Sequence, residues 1–182
     1  MKIELTGFQG LLVLTPAVYS DERGFFFESY NADRFEQAGL KHQWVQDNQS
    51  FSQKGVIRGL HFQKPPHAQA KLVRVLSGRI LDVVVDLRSE QPTYGKVFAI
   101  ELTAENKMQL LIPRGFAHGF SVLSETADVM YKCDGVYNKS SELGIKYNDS
   151  VLKIDWQVNE SEATVSEKDL QLPGFTGLET GF

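Results

Sequence analysis

The stretch Lys71-Leu72-Val73-Arg74-Val75-Leu76-Ser77-Gly78-Arg79-Ile80-Leu81-Asp82-Val83-Val84-Val85-Asp86 decides how the rest of the chain is read. Two runs of aliphatic and β-branched residues flank a Ser-Gly pair, the short-turn signal of a β-hairpin. Branching at Cβ stiffens the side chain and suits it to a pleated surface, so both runs read as strands. The same texture continues upstream. Leu11-Leu12-Val13-Leu14 stops before Pro16, residues 25–30 follow the turn-like Asp21-Glu22-Arg23-Gly24, residues 43–46 begin another extended run, and residues 56–63 form a further one. Downstream, residues 97–102, 109–112, 120–123 and 129–137 complete the set. Helices are few and short: Asn31 can cap one that ends at Gly39, and Ser166 another through Leu170 that Pro173 stops. Many short strands at this spacing predict an all-β sandwich or barrel with short helices at its periphery.

Bulk composition narrows the class. A chain of 182 residues, 42% hydrophobic and 23% charged, can bury a sizeable core, and no low-complexity linker divides it, so residues 1–182 read as one domain. A net charge of −4 excludes a nucleic-acid binder that relies on a basic field over its whole surface; an anionic ligand must be held by local cations. The single cysteine, Cys133, rules out an intrachain disulfide and a Cys-rich metal site, and is expected in the core. No segment approaches the roughly 20 apolar residues needed to span a bilayer, so no membrane partner is expected and the cytoplasm is the expected compartment. The C-terminal third has a loop-rich texture, and the tail after Gly174 is expected to be loosely ordered.

The most informative polar feature is Arg58-Gly59-Leu60-His61 inside the run 56–63. On a regular strand Arg58 and His61 would point to opposite faces. Gly59 can relax the alternation through a bulge and bring both to one wall of a pocket. A second histidine, His118, follows the turn-forming Pro113-Arg114-Gly115, while His67 lies in a Pro65-Pro66 loop and is expected to face solvent. Pro113-Arg114-Gly115-Phe116-Ala117-His118-Gly119 resembles the second motif of the cupin superfamily, a double-stranded β-helix of jelly-roll type. Many cupins hold a metal through a His-x-His pair in the first motif, but His61 is followed by Phe62 and Gln63. The expectation is therefore a metal-free catalyst without cofactor, with a metal-dependent cupin enzyme as the less favoured alternative.

The resemblance becomes more specific over residues 10–172. Asp21-Glu22-Arg23-Gly24-Phe25-Phe26-Phe27-Glu28, Gln46-Asp47-Asn48, Arg58 to Gln63, Lys71-Leu72-Val73-Arg74, the His118 motif, Tyr131-Lys132 and Ser166-Glu167-Lys168-Asp169 together resemble the dTDP-4-dehydrorhamnose 3,5-epimerase family. That resemblance implies inversion at C3 and C5 of dTDP-4-dehydro-6-deoxy-D-glucose, by proton removal next to the C4 ketone. By the same resemblance His61 is the base, Asp169 its partner, Lys71 the cation at the C4 oxygen and Tyr131 the acid on the opposite face. Arg23, Arg58 and Lys168 would hold the diphosphate. Glu28, Gln46, Asp47 and Asn48 would surround the nucleotide, Tyr137 would stack on the base, and His118 and Glu142 would line the sugar region. The resemblance further implies a homodimer whose N-terminal segment carries Arg23 and Glu28 into the partner's site, with the Phe25-Phe26-Phe27 run expected in core and interface packing. A relative that epimerises one carbon only, C3 or C5 of a related nucleotide 4-keto sugar, is the alternative.

Overall fold

A computed structural model describes residues 1–182. Fourteen strands and two short helices follow one another along the chain. They are β1 (Lys2–Leu5), β2 (Leu12–Thr15), β3 (Tyr19–Asp21), β4 (Gly24–Phe26), α1 (Ala32–Gln37), β5 (Gln46–Gln53), β6 (Val56–Gln63), β7 (Lys71–Ser77), β8 (Arg79–Asp86) and β9 (Val97–Thr103). Then come β10 (Gln109–Ile112), β11 (Phe116–Val122), β12 (Thr126–Cys133), β13 (Glu142–Gly144), β14 (Thr164–Val165) and α2 (Glu167–Leu170). The first sheet runs β1-β2-β10-β7-β12-β5 and the second β13-β6-β11-β8-β9, with β14 parallel to β6. Facing residues of both sheets share one core: Val73, Leu110 and Val129 from the first meet Ile80, Val84 and Phe120 from the second. The architecture is the double-stranded β-helix of jelly-roll type.

The expected hairpin at Ser77-Gly78 does not form. Both edges of β7 are taken by β10 and β12, and both edges of β8 by β11 and β9, so the two runs lie in different sheets. Gly78 turns the chain from one sheet to the other with φ +79°, where a Cβ would run into the Thr126 carbonyl. A Ser-Gly pair signals a sharp change of direction; which strand lies alongside is settled by more distant segments. As a result β8 is covered on both faces. Ile80 and Val84 look into the barrel, while Leu81, Val83 and Val85 meet a second core against Ile145, Leu152 and Trp156.

That outer core also corrects the expected loose tail. Phe175, Leu178 and Phe182 pack against it, Ser89 Oγ donates to the Phe182 carbonyl at 2.8 Å, and Thr180 is buried. Strand bounds differ as well. The 43–46 run leads into a strand that starts at Gln46; β11 begins four residues before the expected Phe120, and β12 stops at Cys133 instead of Tyr137. Of residues 25–30 only Phe25 and Phe26 join a strand, β4, which pairs solely with Tyr19–Asp21 in a two-stranded arm outside both sheets. Phe25 and Phe26 on that arm are exposed rather than in the core of this chain. Both helices carry their expected caps: Asn31 accepts from Arg34 N–H, and Ser166 from Asp169 N–H.

Candidate active site

The β6 strand is bulged where Gly59 allows it. Opposite β11, His61 faces His118 and Arg58 faces Phe120, so three steps along β6 match two along β11. Gly59 adopts φ +112°, and a Cβ there would lie 2.7 Å from both Gly119 Cα and the His118 carbonyl oxygen. Leu60 is fully buried in the outer core, while Arg58 and His61 both border one cavity of about 480 Å³. The glycine therefore does what the alternation rule alone forbids.

His61 Nε2 lies 2.8 Å from Asp169 Oδ1. A carboxylate only accepts, so Nε2 carries the proton and Nδ1 keeps its lone pair for the cavity. Asp169 reaches this place because α2 is capped by Ser166 and because its other oxygen, Oδ2, accepts from the Gly59 N–H at 3.2 Å. Burial works to raise the Asp169 carboxyl, but the hydrogen bonds and charge of its neighbours, His61 foremost, outweigh burial and hold it below the usual carboxylate range.

The other sheet supplies the facing wall. Lys71 at the start of β7 and Tyr131 on β12 both border the cavity, with Lys71 Nζ 5.6 Å from the Tyr131 ring centre. Burial pushes the Lys71 ammonium down, against the attraction of the Asp82 and Glu142 carboxylates. Burial likewise pushes the Tyr131 phenol up, keeping it a protonated donor at neutral pH. His118 is buried beside His61, and its Nε2 donates to Asp82 Oδ1 at 2.8 Å. Its imidazole is pushed down, first by burial, so it stays neutral.

A second cavity of about 300 Å³ adjoins the first, and His61, Lys71 and Tyr131 border both. Gln46, Asn48, Tyr137 and Glu142 line it. Gln46 Nε2 donates to Asn48 Oδ1 at 3.0 Å, and the Tyr137 hydroxyl donates to Glu142 Oε2 at 2.8 Å. The same Glu142 oxygen receives Lys168 Nζ at 2.7 Å, which ties the two cavities together at their rim. Arg58 is held by Ser52 Oγ at 3.0 Å and by the Phe51 carbonyl, beside Lys168 along the first cavity. The chain thus gathers eleven of the sequence-derived residues: His61, Asp169, Lys71, Tyr131, Arg58, His118, Gln46, Asn48, Tyr137, Glu142 and Lys168.

Three others lie elsewhere. Asp47 alternates to the opposite face of β5 from Gln46 and Asn48, pairs with Lys132 at 3.0 Å and lines neither cavity of its own chain. Arg23 sits on the β3–β4 arm, where Asp21 binds it at 2.5 Å. Glu28 pairs with Arg34 at 2.7 Å beside α1. Neither borders either cavity of its own chain. His67 is exposed, and nowhere do three or more His, Cys, Asp or Glu side chains converge as a metal-ligand group.

Two site groups escaped the sequence reading. Asp82 is fully buried beneath His118; its signal was a lone carboxylate inside the apolar run 80–85, a position that requires a partner. Ser50 borders the cavity with a buried hydroxyl that has no partner, and its only signal was the inward alternation it shares with Gln46 and Asn48.

Comparison with known proteins agrees with this geometry. The model of a family described as dTDP-4-dehydrorhamnose 3,5-epimerase matches residues 5–177. A relative of that name from Shigella flexneri is 48% identical over 171 residues, covering 93% of each chain. The crystal structure of the enzyme of that name from Elizabethkingia anophelis NUHP1 superposes with a TM-score of 0.92 at 54% identity, over 96% of each chain. A Legionella pneumophila dTDP-6-deoxy-D-glucose-3,5-epimerase, solved in complex with dTDP-4-keto-L-rhamnose, reaches a TM-score of 0.93 at 46% identity, over 98% of this chain and 94% of that one.

Proposed function

Because the chain belongs to the dTDP-4-dehydrorhamnose 3,5-epimerase family, we propose that it inverts C3 and C5 of dTDP-4-dehydro-6-deoxy-D-glucose to give dTDP-4-dehydro-L-rhamnose. The observation that carries the reading is the His61–Asp169 pair on one wall with Lys71 and Tyr131 on the other. Carbons 3 and 5 flank the C4 ketone, so loss of either hydrogen gives an enolate. His61 Nδ1 removes the proton, and Asp169 steadies the imidazolium that results. Lys71 faces the negative charge growing on the C4 oxygen, in a cavity where burial strengthens the interaction. Tyr131 returns a proton from the opposite face, so the carbon is inverted instead of merely exchanged.

The remaining groups fit the nucleotide. Arg58 can grip phosphate oxygens bidentately, and Lys168 adds a point charge beside it. Gln46 and Asn48 offer hydrogen bonds, Tyr137 an aromatic face, and Glu142 and His118 line the sugar region. The exposed β3–β4 arm supports a homodimer in which Arg23 and Glu28 complete the partner's site. Work on a sugar nucleotide would place the enzyme in the cytoplasm; no helix is long and apolar enough to cross a membrane.

Incubation with the 4-keto substrate in deuterated water tests the assignment. Deuterium at both C3 and C5, together with the L-configured product, is expected. Label at one carbon alone would leave a single-carbon epimerase in its place.

A further inference from the structure

Asp82 takes no part in the steps above, yet its position is costly unless it is used. It is fully buried on β8 between Ile80 and Val84, in the row of side chains that faces the barrel interior. One oxygen, Oδ1, accepts from His118; the other, Oδ2, is buried with no partner. A carboxylate left half satisfied in an apolar interior loses far more than it gains from one hydrogen bond, unless a cation shares its environment. The cation that shares it is Lys71, which lines the same cavity as His118, the residue that Asp82 holds.

We propose that Asp82 is a positioning residue of the epimerase, fixing His118 with its proton on Nε2 and supplying the buried negative charge that complements Lys71 where it faces the C4 oxygen. The groups around Lys71 leave this role to Asp82. Glu142 on β13 is already bonded to Lys168 and Tyr137, Cys133 and Tyr131 on β12 are protonated at neutral pH, and His118 on β11 and His61 on β6 add no negative charge. Of the two carboxylates, Glu142 is partly exposed at the rim, whereas Asp82 is fully buried with its Oδ2 unpartnered.

The inference rests on the epimerase reading, and two measurements separate their failures. Lys71 must be charged to stabilise the enolate, so activity falls as pH rises through its titration. Removing the Asp82 charge lowers the pH at which Lys71 gives up its proton. In Asp82→Asn, which keeps the shape and an acceptor for His118, the alkaline limb of the kcat profile should move to lower pH by about 1 pH unit or more. An unmoved limb in a folded variant overturns the proposal, whereas a wild-type protein that exchanges neither C3 nor C5 overturns the epimerase assignment instead. The second measurement needs no turnover. Imidazole nitrogen NMR should find His118 protonated at Nε2, and Lys71→Met should raise the pH at which His118 titrates, because the lysine charge opposes the imidazolium. A His118 signal indifferent to Lys71→Met, or protonated at Nδ1, sinks the proposal even if Asp82→Asn fails to fold.

Discussion

His61 and Asp169 stand 108 residues apart in the chain and 2.8 Å apart in the fold, joined through Nε2 and Oδ1. The bond leaves Nδ1 as the free base and makes the acid a fixed orienter, so the two should fail differently. His61→Ala should lose about 10²- to 10⁴-fold in deuterium exchange at both carbons, with dTDP affinity measured by calorimetry nearly unchanged. Asp169→Asn should keep the fold and slow exchange by about 10²-fold. Asp169 titrates below the usual carboxylate range when folded, so its contribution to stability is present above the unfolded value of about 3.9 and fades as pH falls through the folded one. Denaturant melts should therefore show wild type and Asp169→Asn converging on acidification; a constant gap would contradict the pairing.

Tyr131 separates exchange from inversion. Its raised pKa keeps the hydroxyl protonated, and it sits on the sheet opposite His61. Tyr131→Phe should still wash deuterium into the substrate while failing to invert C5. Product of unchanged stereochemistry would remove the acid role.

Lys71 should act through its charge. Lys71→Met should lower exchange at both carbons by about 10²-fold or more. Lys71→Arg, which keeps a cation in the cavity, should retain more of it. Equal losses in the two variants would show that the charge facing the C4 oxygen is not what the reaction needs.

Gly59 should tolerate no side chain. A Cβ would press on Gly119 Cα and the His118 carbonyl at 2.7 Å, on a backbone at φ +112°. Such strain costs on the order of 1–3 kcal/mol, and relieving it pulls the Gly59 N–H from Asp169. Gly59→Ala should thus lower both stability and kcat, more than alanine at exposed Gly7, where a Cβ has open space. Equal effects at the two positions would argue that the bulge plays no part in aligning the site.

Sequence and structure agree most closely where the signal is local. Asn31 and Ser166 cap their helices as the residue types imply, because a cap is satisfied within three residues. The Arg58-Gly59-Leu60-His61 bulge was legible for the same reason: a glycine decides a backbone angle without help from afar. The site residues owed more to motif resemblance, since no local rule distinguishes Lys71 or Tyr131 from ordinary strand residues. Asp47 shows the limit of adjacency; it shares a motif with Gln46 and Asn48, but a strand turns every second residue away.

By itself the sequence determined which segments are extended, where the chain bends and which backbone positions accept only glycine, all consequences of side-chain branching and φ/ψ sterics over a few residues. Tertiary structure alone decided that the two runs around Ser77-Gly78 part company into different sheets, that the tail from Phe175 to Phe182 covers the second sheet, and that Asp82 lies beneath His118. Each is a choice among distant partners. Burial of apolar faces makes that choice, and the edges of β7 and β8 are filled by whichever strands close a common core.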